Sequence, residues 1–266
     1  GMSLSAAGGV MQMLFRNPLV EPGFLGVTQG AGFGAALCII FLGSSLWLIE
    51  VSATFFAIFA LLFSWFIARR IRFGGWVLRL ILAGIAVSAF FSAGLGILKY
   101  LADPLSQLPE ITFWLLGGLY SITWHDFYYV MPVVVIGITI ILLMRWRLNL
   151  LALEDQTASS LGVSVKRERT LLLAVSVAIT AVVVSVAGIV GWIGLIIPHI
   201  ARRLVGANAA KFIPVSISIG GTFAILCDDF ARTVSAGEIP LGIITSLLGA
   251  LIFLSLMVSP GMRLNR

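Results

Sequence analysis

The sequence predicts an all-α fold, a polytopic bundle of transmembrane helices, and three observations carry that prediction. Hydrophobic residues make up 60% of the 266 and charged residues 11%, with a mean hydropathy of +1.10, a balance that leaves too little polar surface for a domain bathed in water. Apolar runs recur at lengths near the roughly 20 residues a helix needs to cross hydrocarbon. The basic residues gather at the ends of those runs, so the net charge of +6 orients spans rather than recruiting nucleic acid. Cys38 and Cys227 stand far apart in apolar surroundings without ligand-spaced partners and read as small core residues.

Residues 1–15 form an apolar run shorter than a full span. The chain opens with Gly1-Met2-Ser3-Leu4 and no basic leader, so no cleavable signal is expected. Arg16 to Gly23 is a turn-rich break, because Pro18 and Pro22 cannot continue a helix. Residues 26–43 follow, with Gly26, Gly30, Gly32 and Gly34 at spacings that let helices approach closely. Residues 51–68 cross back to Arg69, Arg70 and Arg72, and 77–98 cross out to the polar LADPLSQLPE loop. Residues 111–127 carry Trp114, Tyr120 and Trp124, with Tyr128 and Tyr129 directly after, the aromatic belt of a segment at the membrane–water boundary. Residues 129–144 and 170–190 are the next two crossings. Gly191–Leu204, broken by Gly194 and Pro198, reads as a discontinuous helix packed among others, and 212–226 and 241–258 complete about nine crossings, the first one partial.

Between two of these spans lies RWRLNLLALEDQTASSLGVSVKRER, residues 145–169, the longest polar passage in the chain. The spacing of Leu148, Leu151, Ala158 and Leu161, with a break at Gly162, fits one or two short helices on a surface and marks a handle that something outside the membrane grips; an ordinary connecting loop is the competing reading. With this handle in the cytoplasm, alternation puts every one of the 17 basic residues inside except Lys99 and Arg232. Of the 11 acids, Glu50, Asp103, Glu110, Asp126, Asp228, Asp229 and Glu238 fall outside. That asymmetry is the positive-inside pattern.

The chemistry is sparse. There is no Gly-x-x-x-x-Gly-Lys-Ser/Thr phosphate cradle, so ATP hydrolysis by that route is not expected. The two histidines, His125 and His199, assemble neither a zinc site nor a catalytic triad, so no catalytic residue and no metal are expected. No carboxylate lies in the middle of a span, which weakens an ion-driven secondary carrier. His199, beside Pro198, is the one ionisable group expected at depth, either a relay or a satisfied histidine at a helix break. Arg232 in DDFAR fits a pair with Asp228 or Asp229, the reading spacing favours, or a fork offered to a carboxylate on a docking partner.

The runs GMSLSAAGGVMQMLFRNPLVEPGFLGVTQGAG, FWLLGGLYSITWHD, LNLLALEDQTASSLGV, GWIGLIIPHIARRLVG and DDFARTVSAGEIPLGIITSLLGA resemble the FecCD-type permeases of ABC importers. The resemblance covers nearly the whole chain in collinear order. It implies a single transmembrane permease domain over 1–266, with ten spans in complete members, in the cytoplasmic (inner) membrane of a bacterium or archaeon. The permease pairs with itself, stands on two cytoplasmic ATPases that bind the ATP and magnesium, and receives cargo from an extracytoplasmic binding protein. By the same resemblance 145–169 is the ATPase-coupling segment, with Ala158, Leu161 and Gly162 at its matched small and apolar positions; Leu148 and Leu151, from the apolar spacing, join them as expected coupling positions. Gly26, Gly30, Gly32 and Gly34 lie near the pathway, and Arg232 is the position that meets a glutamate of the binding protein. An iron–siderophore chelate is the expected cargo, with cobalamin, haem or molybdate as alternatives. Complete members carry an earlier crossing and an Arg-Leu-Pro-Arg-like motif, so the chain is expected to be truncated at its N-terminus.

Overall fold

A computed structural model describes residues 1–234 and 237–258. Eleven α-helices and one 3₁₀ turn, Pro22–Leu25, make up its regular structure, with no strand among the described residues: α1 (Met2–Phe15), α2 (Val27–Phe41), α3 (Leu46–Arg70), α4 (Trp76–Leu101), α5 (Gln107–Leu116), α6 (Trp124–Leu151), α7 (Asp155–Ser160), α8 (Val165–Ala187), α9 (Ile193–Val205), α10 (Ala209–Thr233) and α11 (Leu241–Val258). Six of them, α3, α4, α6, α8, α10 and α11, are long and apolar enough to cross a membrane by length and composition. α1 and α2 are apolar but shorter, so length alone does not reach the nine crossings read from the sequence.

The bundle is built around α1, which is buried without interruption from Ser3 to Gln12 and packs against α6, α8, α9 and α10. Lipid tails are as apolar as leucine, so close van der Waals packing, rather than exclusion from water, must hold one helix to the next. The small residues of MSLSAAGG supply it. A Cβ added at Gly8 would run into the carbonyl of Gly194 at the start of α9, one at Gly9 would press on Ile213 and Phe212, and one at Gly220 of α10 would collide with Ser5. Polar contacts join them: the Gln12 amide donates to the carbonyls of Gly194 (3.3 Å) and Leu195 (3.1 Å), Arg202 donates back to Gln12 Oε1, and Ser216 of α10 donates to the Ser5 carbonyl at 3.5 Å. The outer helices present large side chains outward, among them Phe55 and Leu62 on α3, Phe90 on α4 and Leu143 on α6, as helices bathed in lipid must.

Several boundaries differ from the sequence reading, among them α3, which starts at Leu46, and α10, which runs on to Thr233 and takes in DDFAR; three differences bear on the site. The aromatic segment 111–127 is split, because α5 stops at Gly117, which adopts φ +67°, and α6 begins at Trp124. Thr123 and Asp126 form a reciprocal cap there, Asp126 Oδ2 accepting from the Thr123 amide at 2.7 Å and its hydroxyl at 2.9 Å, which fixes the start of the helix. α6 then runs on to Leu151, so the 145–169 segment holds the end of α6, the short α7 and the first turn of α8. Third, the break at Arg16–Gly23 does not stay at the surface. Val20 and Leu25 are buried, and Glu21 and Pro22 line a small cavity with Leu4, Thr180, Trp192 and Gly194. Leu4 lies twelve residues, about 18 Å of helix rise, from Arg16. Glu21 is therefore a carboxylate among the helices, and His199 is not the sole ionisable group at depth.

The polar contacts collect at two ends. At one, Arg16, Asp155 and Arg169 meet, Arg147 meets Glu168, and Asn149 meets Asn208. At the other, Ser44 donates to Glu110, Asp126 caps α6, and Arg232 pairs with Asp228. This division matches the sidedness read from the charges. Arg263 and Arg266, also assigned inside, lie outside the described residues.

Gly8→Ala is expected to push α1 off α9 and to cost about 1–3 kcal/mol, read as a lower midpoint of thermal unfolding in detergent. Gly96→Ala on α4, where an added Cβ meets nothing within 4 Å, is expected to leave the midpoint unchanged or raise it.

Candidate functional site

The handle is a hairpin of three elements. α6 ends at Leu151, Ala152–Glu154 turns the chain, α7 runs for six residues, and Leu161–Ser164 leads into α8. α7 is too short to stand alone, so its position has to come from what it is fastened to.

One carboxylate does the fastening. Asp155, the first residue of α7, accepts from both terminal nitrogens of Arg169, at 2.9 and 3.2 Å, and lies 3.7 Å from Arg16. Arg16 also donates to the carbonyl of Leu153. Arg16 sits in the left-handed region, φ 50° and ψ 33°, capping α1 as the chain turns away. Asp155 thus joins α7 to α8 and to the central helix together. Arg169 is 6% exposed and its guanidinium lies 4.4 Å over the ring of Trp76 on α4, a stacked cation that holds its fork in place. Arg147 on α6 bonds Glu168 on α8 at 2.7 Å. Asn149 and Asn208 bond at 2.9 Å and tie α6 to the start of α10. The Arg169 hydrogen bonds, then the charges of Arg169 and Arg16, hold the Asp155 carboxyl below its ordinary range.

The expected coupling residues fall into two groups. Leu148, Leu151 and Ala158 are fully buried and belong to the main core; they bolt the hairpin to the bundle and offer nothing to a partner. Leu161 is 57% exposed. Gly162 follows it at φ +79° with open space around it, a turn that glycine makes without strain. The tip of the handle is therefore Leu161 and Gly162. Its fasteners, Arg16, Asp155, Arg169 and Trp76, are what sequence reading missed. Asp155 and Arg169 lie 14 residues apart and Arg16 is further still, so no helical spacing relates them. The only signal was an acid between cationic borders.

The glycines read as lying near a pathway are all buried. Gly30 faces the Phe56 carbonyl and Ala60, and Gly34 faces the Ser52 carbonyl, so both let α2 lie against α3. Gly32 faces Leu115 of α5 and Leu95 of α4, and Gly26 turns the chain at φ +85° beside Val87. Arg232 realises the internal pairing: its Nε donates to Asp228 at 2.8 Å, a terminal nitrogen donates to the Leu119 carbonyl at 3.2 Å, and Glu238 lies 3.7 Å away. No cluster of metal-ligating side chains occurs among the described residues. His199 stacks edge-on to Phe253 and its Nδ1 is buried without a hydrogen-bond partner.

Comparison with known proteins covers nearly the whole chain. A family model described as the FecCD transport family matches residues 1–259. An iron chelatin transport system permease protein of Helicobacter pylori is 42% identical over 258 residues, 97% of this chain and 77% of the relative. The molybdate import system permease protein MolB of Haemophilus influenzae is 39% identical over 257 residues, 95% of this chain and 74% of the relative. A solved structure of a metal-chelate type ABC transporter in an inward-facing conformation superposes with a TM-score of 0.91 at 38% identity, covering 97% of this chain and 82% of that one.

Asp155→Asn and Arg169→Gln are expected to be non-additive in thermal stability, with a coupling of about 1 kcal/mol for this half-exposed pair. Because the folded Asp155 titrates below its unfolded value of about 3.9, its contribution is fully present above that pH and is lost as pH falls through the folded value. The stability difference between wild type and Asp155→Asn should therefore stay level from pH 8 to about 5 and shrink only below about 4, measured by unfolding midpoints across a pH series.

Proposed function

The chain belongs to the FecCD transport family, as a multi-pass ABC importer permease of the inner membrane, and we propose that it forms the pathway for an iron–siderophore type chelate and is driven through Leu161 and Gly162. The ATPase activity of such importers lies in a separate subunit, where ATP and magnesium are bound. The observation that carries the mechanical part is the fastening of the handle: an exposed apolar tip on a hairpin clamped to α1, α4 and α8 by one carboxylate–arginine cluster. A push on the tip is transmitted to the central helix through Arg16, instead of being absorbed by a loose loop.

In this proposal two copies of the permease pair across the pathway, each docked on one of two cytoplasmic ATPases. Closure of the ATPase pair moves both handles, and the helices fixed to them rock between outward and inward openings. Leu161 seats in the ATPase. Leu148, Leu151 and Ala158 couple by keeping the hairpin rigid. Gly26, Gly30, Gly32 and Gly34 contribute to the pathway wall by setting how closely α2 approaches α3, α4 and α5. Arg232 reaches a carboxylate of the extracytoplasmic binding protein by exchanging it for Asp228 or Glu238, whose side chains are partly exposed beside it.

Support for an iron chelate comes from relatives named for iron chelatin, iron(3+)-hydroxamate and iron(3+) dicitrate. Relatives named for molybdate, cobalamin and hemin fall within the same range of identity and keep those cargoes as the second reading.

Two outcomes are expected. Leu161→Glu should leave ATP hydrolysis by the reconstituted complex running while uptake falls at least about tenfold, a loss of about 1.4 kcal/mol of coupling; unchanged uptake in proteoliposomes would remove the tip from the drive. The binding protein that stimulates uptake, purified and analysed by elemental mass spectrometry and absorption spectroscopy, should carry iron without a haem Soret band; molybdenum, cobalt or a haem band there would replace the iron–siderophore reading.

A further inference from the structure

Beside the handle a cleft of about 1360 Å³ opens between α3, α4 and α8. Its mouth is cationic. Arg69, Arg79, Lys166, Arg167 and Arg169 line it against a single carboxylate, Asp155, which is already bonded to Arg169 and near Arg16. Among the described residues, none of Arg69, Arg79, Lys166 and Arg167 forms an ion pair. Apart from Ser159, Ser164 and Thr170 the remaining lining is apolar, with Trp65, Leu80, Leu171 and Ala174 among it.

Three of the five cations are held in place by their surroundings. The Arg69 guanidinium lies 4.6 Å over the ring of Trp65 and that of Arg169 lies 4.4 Å over Trp76. Arg79 Nε donates to the carbonyls of Phe73 (3.2 Å) and Gly74 (2.8 Å), which fixes it at the rim. Lys166 and Arg167 are exposed on the first turn of α8. Tryptophan rings beside arginines are the composition of a membrane–water boundary, and the exposed Phe66 and Leu171 continue the apolar wall onto the outer faces of α3 and α8.

An excess of positive charge beside an apolar lining, at the inner boundary of a membrane, calls for a ligand with an anionic head and a hydrocarbon tail. We propose that this cleft binds an anionic phospholipid of the cytoplasmic leaflet, its phosphate held by Arg79, Lys166 and Arg167 and an acyl chain laid along Trp65, Leu171 and Ala174. A soluble acidic segment would satisfy the charges but leave the apolar floor unfilled, and inorganic phosphate would do the same; only a lipid meets both walls. Basic pockets between transmembrane helices on this side of a membrane are the sites that anionic headgroups select. Asp155 and Ser159 of α7 stand on the rim, so an occupied cleft ties the handle to the plane of the bilayer. This site is independent of which cargo the permease carries.

The test is native mass spectrometry of the full chain in neutral detergent, titrated with phosphatidylglycerol or cardiolipin and, in parallel, phosphatidylcholine. Anionic lipid should be retained at concentrations at least tenfold below phosphatidylcholine. In the Arg79→Gln, Lys166→Gln, Arg167→Gln triple variant each lost charge should weaken retention by about fivefold. Arg203→Gln with Lys211→Gln, exposed cations outside the cleft lining, should keep the preference. Ala174→Trp, which fills the floor and keeps every charge, should lose it, so the test does not depend on the triple variant folding. Equal retention of phosphatidylcholine, an undiminished preference in either cleft variant, or displacement of the lipid by equimolar inorganic phosphate would overturn the proposal.

Discussion

In hydrocarbon no force drives one apolar side chain toward another in preference to lipid, so helices stay together only where their backbones come close enough for dense packing or where a polar group finds its partner across the gap. The rest of this structure depends on that constraint being met along α1. Gly8 against Gly194, Gly9 against Ile213 and Ser5 against Gly220 are contacts that one added methyl group would disrupt. Gln12, bonded to two carbonyls of α9 and to Arg202, fixes the register that the small residues alone would leave free to slide. Helix α1 becomes the axis of the bundle because Ser3, Ser5, Ala6, Ala7, Gly8 and Gly9 let its neighbours come close.

In the proposed mechanism an axis packed this tightly also serves as a lever. Arg16 at its end is held by Asp155 and by the Leu153 carbonyl of the handle, so in that mechanism a displacement of α7 carries α1 with it. The contacts that fix the axis are steric and short-ranged, whereas those that fix the handle are ionic and partly exposed, and the two respond to different perturbations. Salt and acid act on the handle and leave the α1 contacts alone. A methyl group placed in the α1–α9 seam does the reverse. A moving joint with a compact interior and a polar attachment is the physical form in which force from outside a membrane can reach its middle.

The fold was largely legible because the membrane simplifies the code. Run length separated most of the helices, and cation placement put Arg16, Arg147 and Arg169 at the end where the structure gathers them. Helix ends were less legible: α6 continues past Arg145 because Leu148 and Leu151 pack inward, and charged residues between them do not stop a helix whose other face is buried. In the handle, Leu161 and Gly162 were recognisable from the apolar spacing and the glycine. Ala158, Leu148 and Leu151 shared that spacing and proved to be the inward face, since periodicity gives an apolar stripe without saying whether a core or a partner covers it. The Asp155 cluster was invisible because its members come from α1, α7 and α8, and only the folded chain makes them neighbours.

Glu21 is where sequence reasoning failed for a more general reason. Pro18 and Pro22 correctly mark a break in the helix, but the reading of His199 as the one ionisable group at depth leaves out Glu21 within that break. Irregular backbone is tolerated at membrane depth when other helices enclose it, and here the chain doubles back from Arg16 so that Glu21 and Pro22 lie beside Leu4, Thr180 and Trp192. Trp192 itself adopts φ +70°, a conformation uncommon outside glycine, at the point where α9 begins. The enclosed turn and the strained start of α9 meet at Gly194, whose missing side chain admits both Pro22 and the Leu4 carbonyl. The breaks in this chain are therefore parts of its interior packing, and a count of spans taken from length must stop short wherever two such breaks pack against each other.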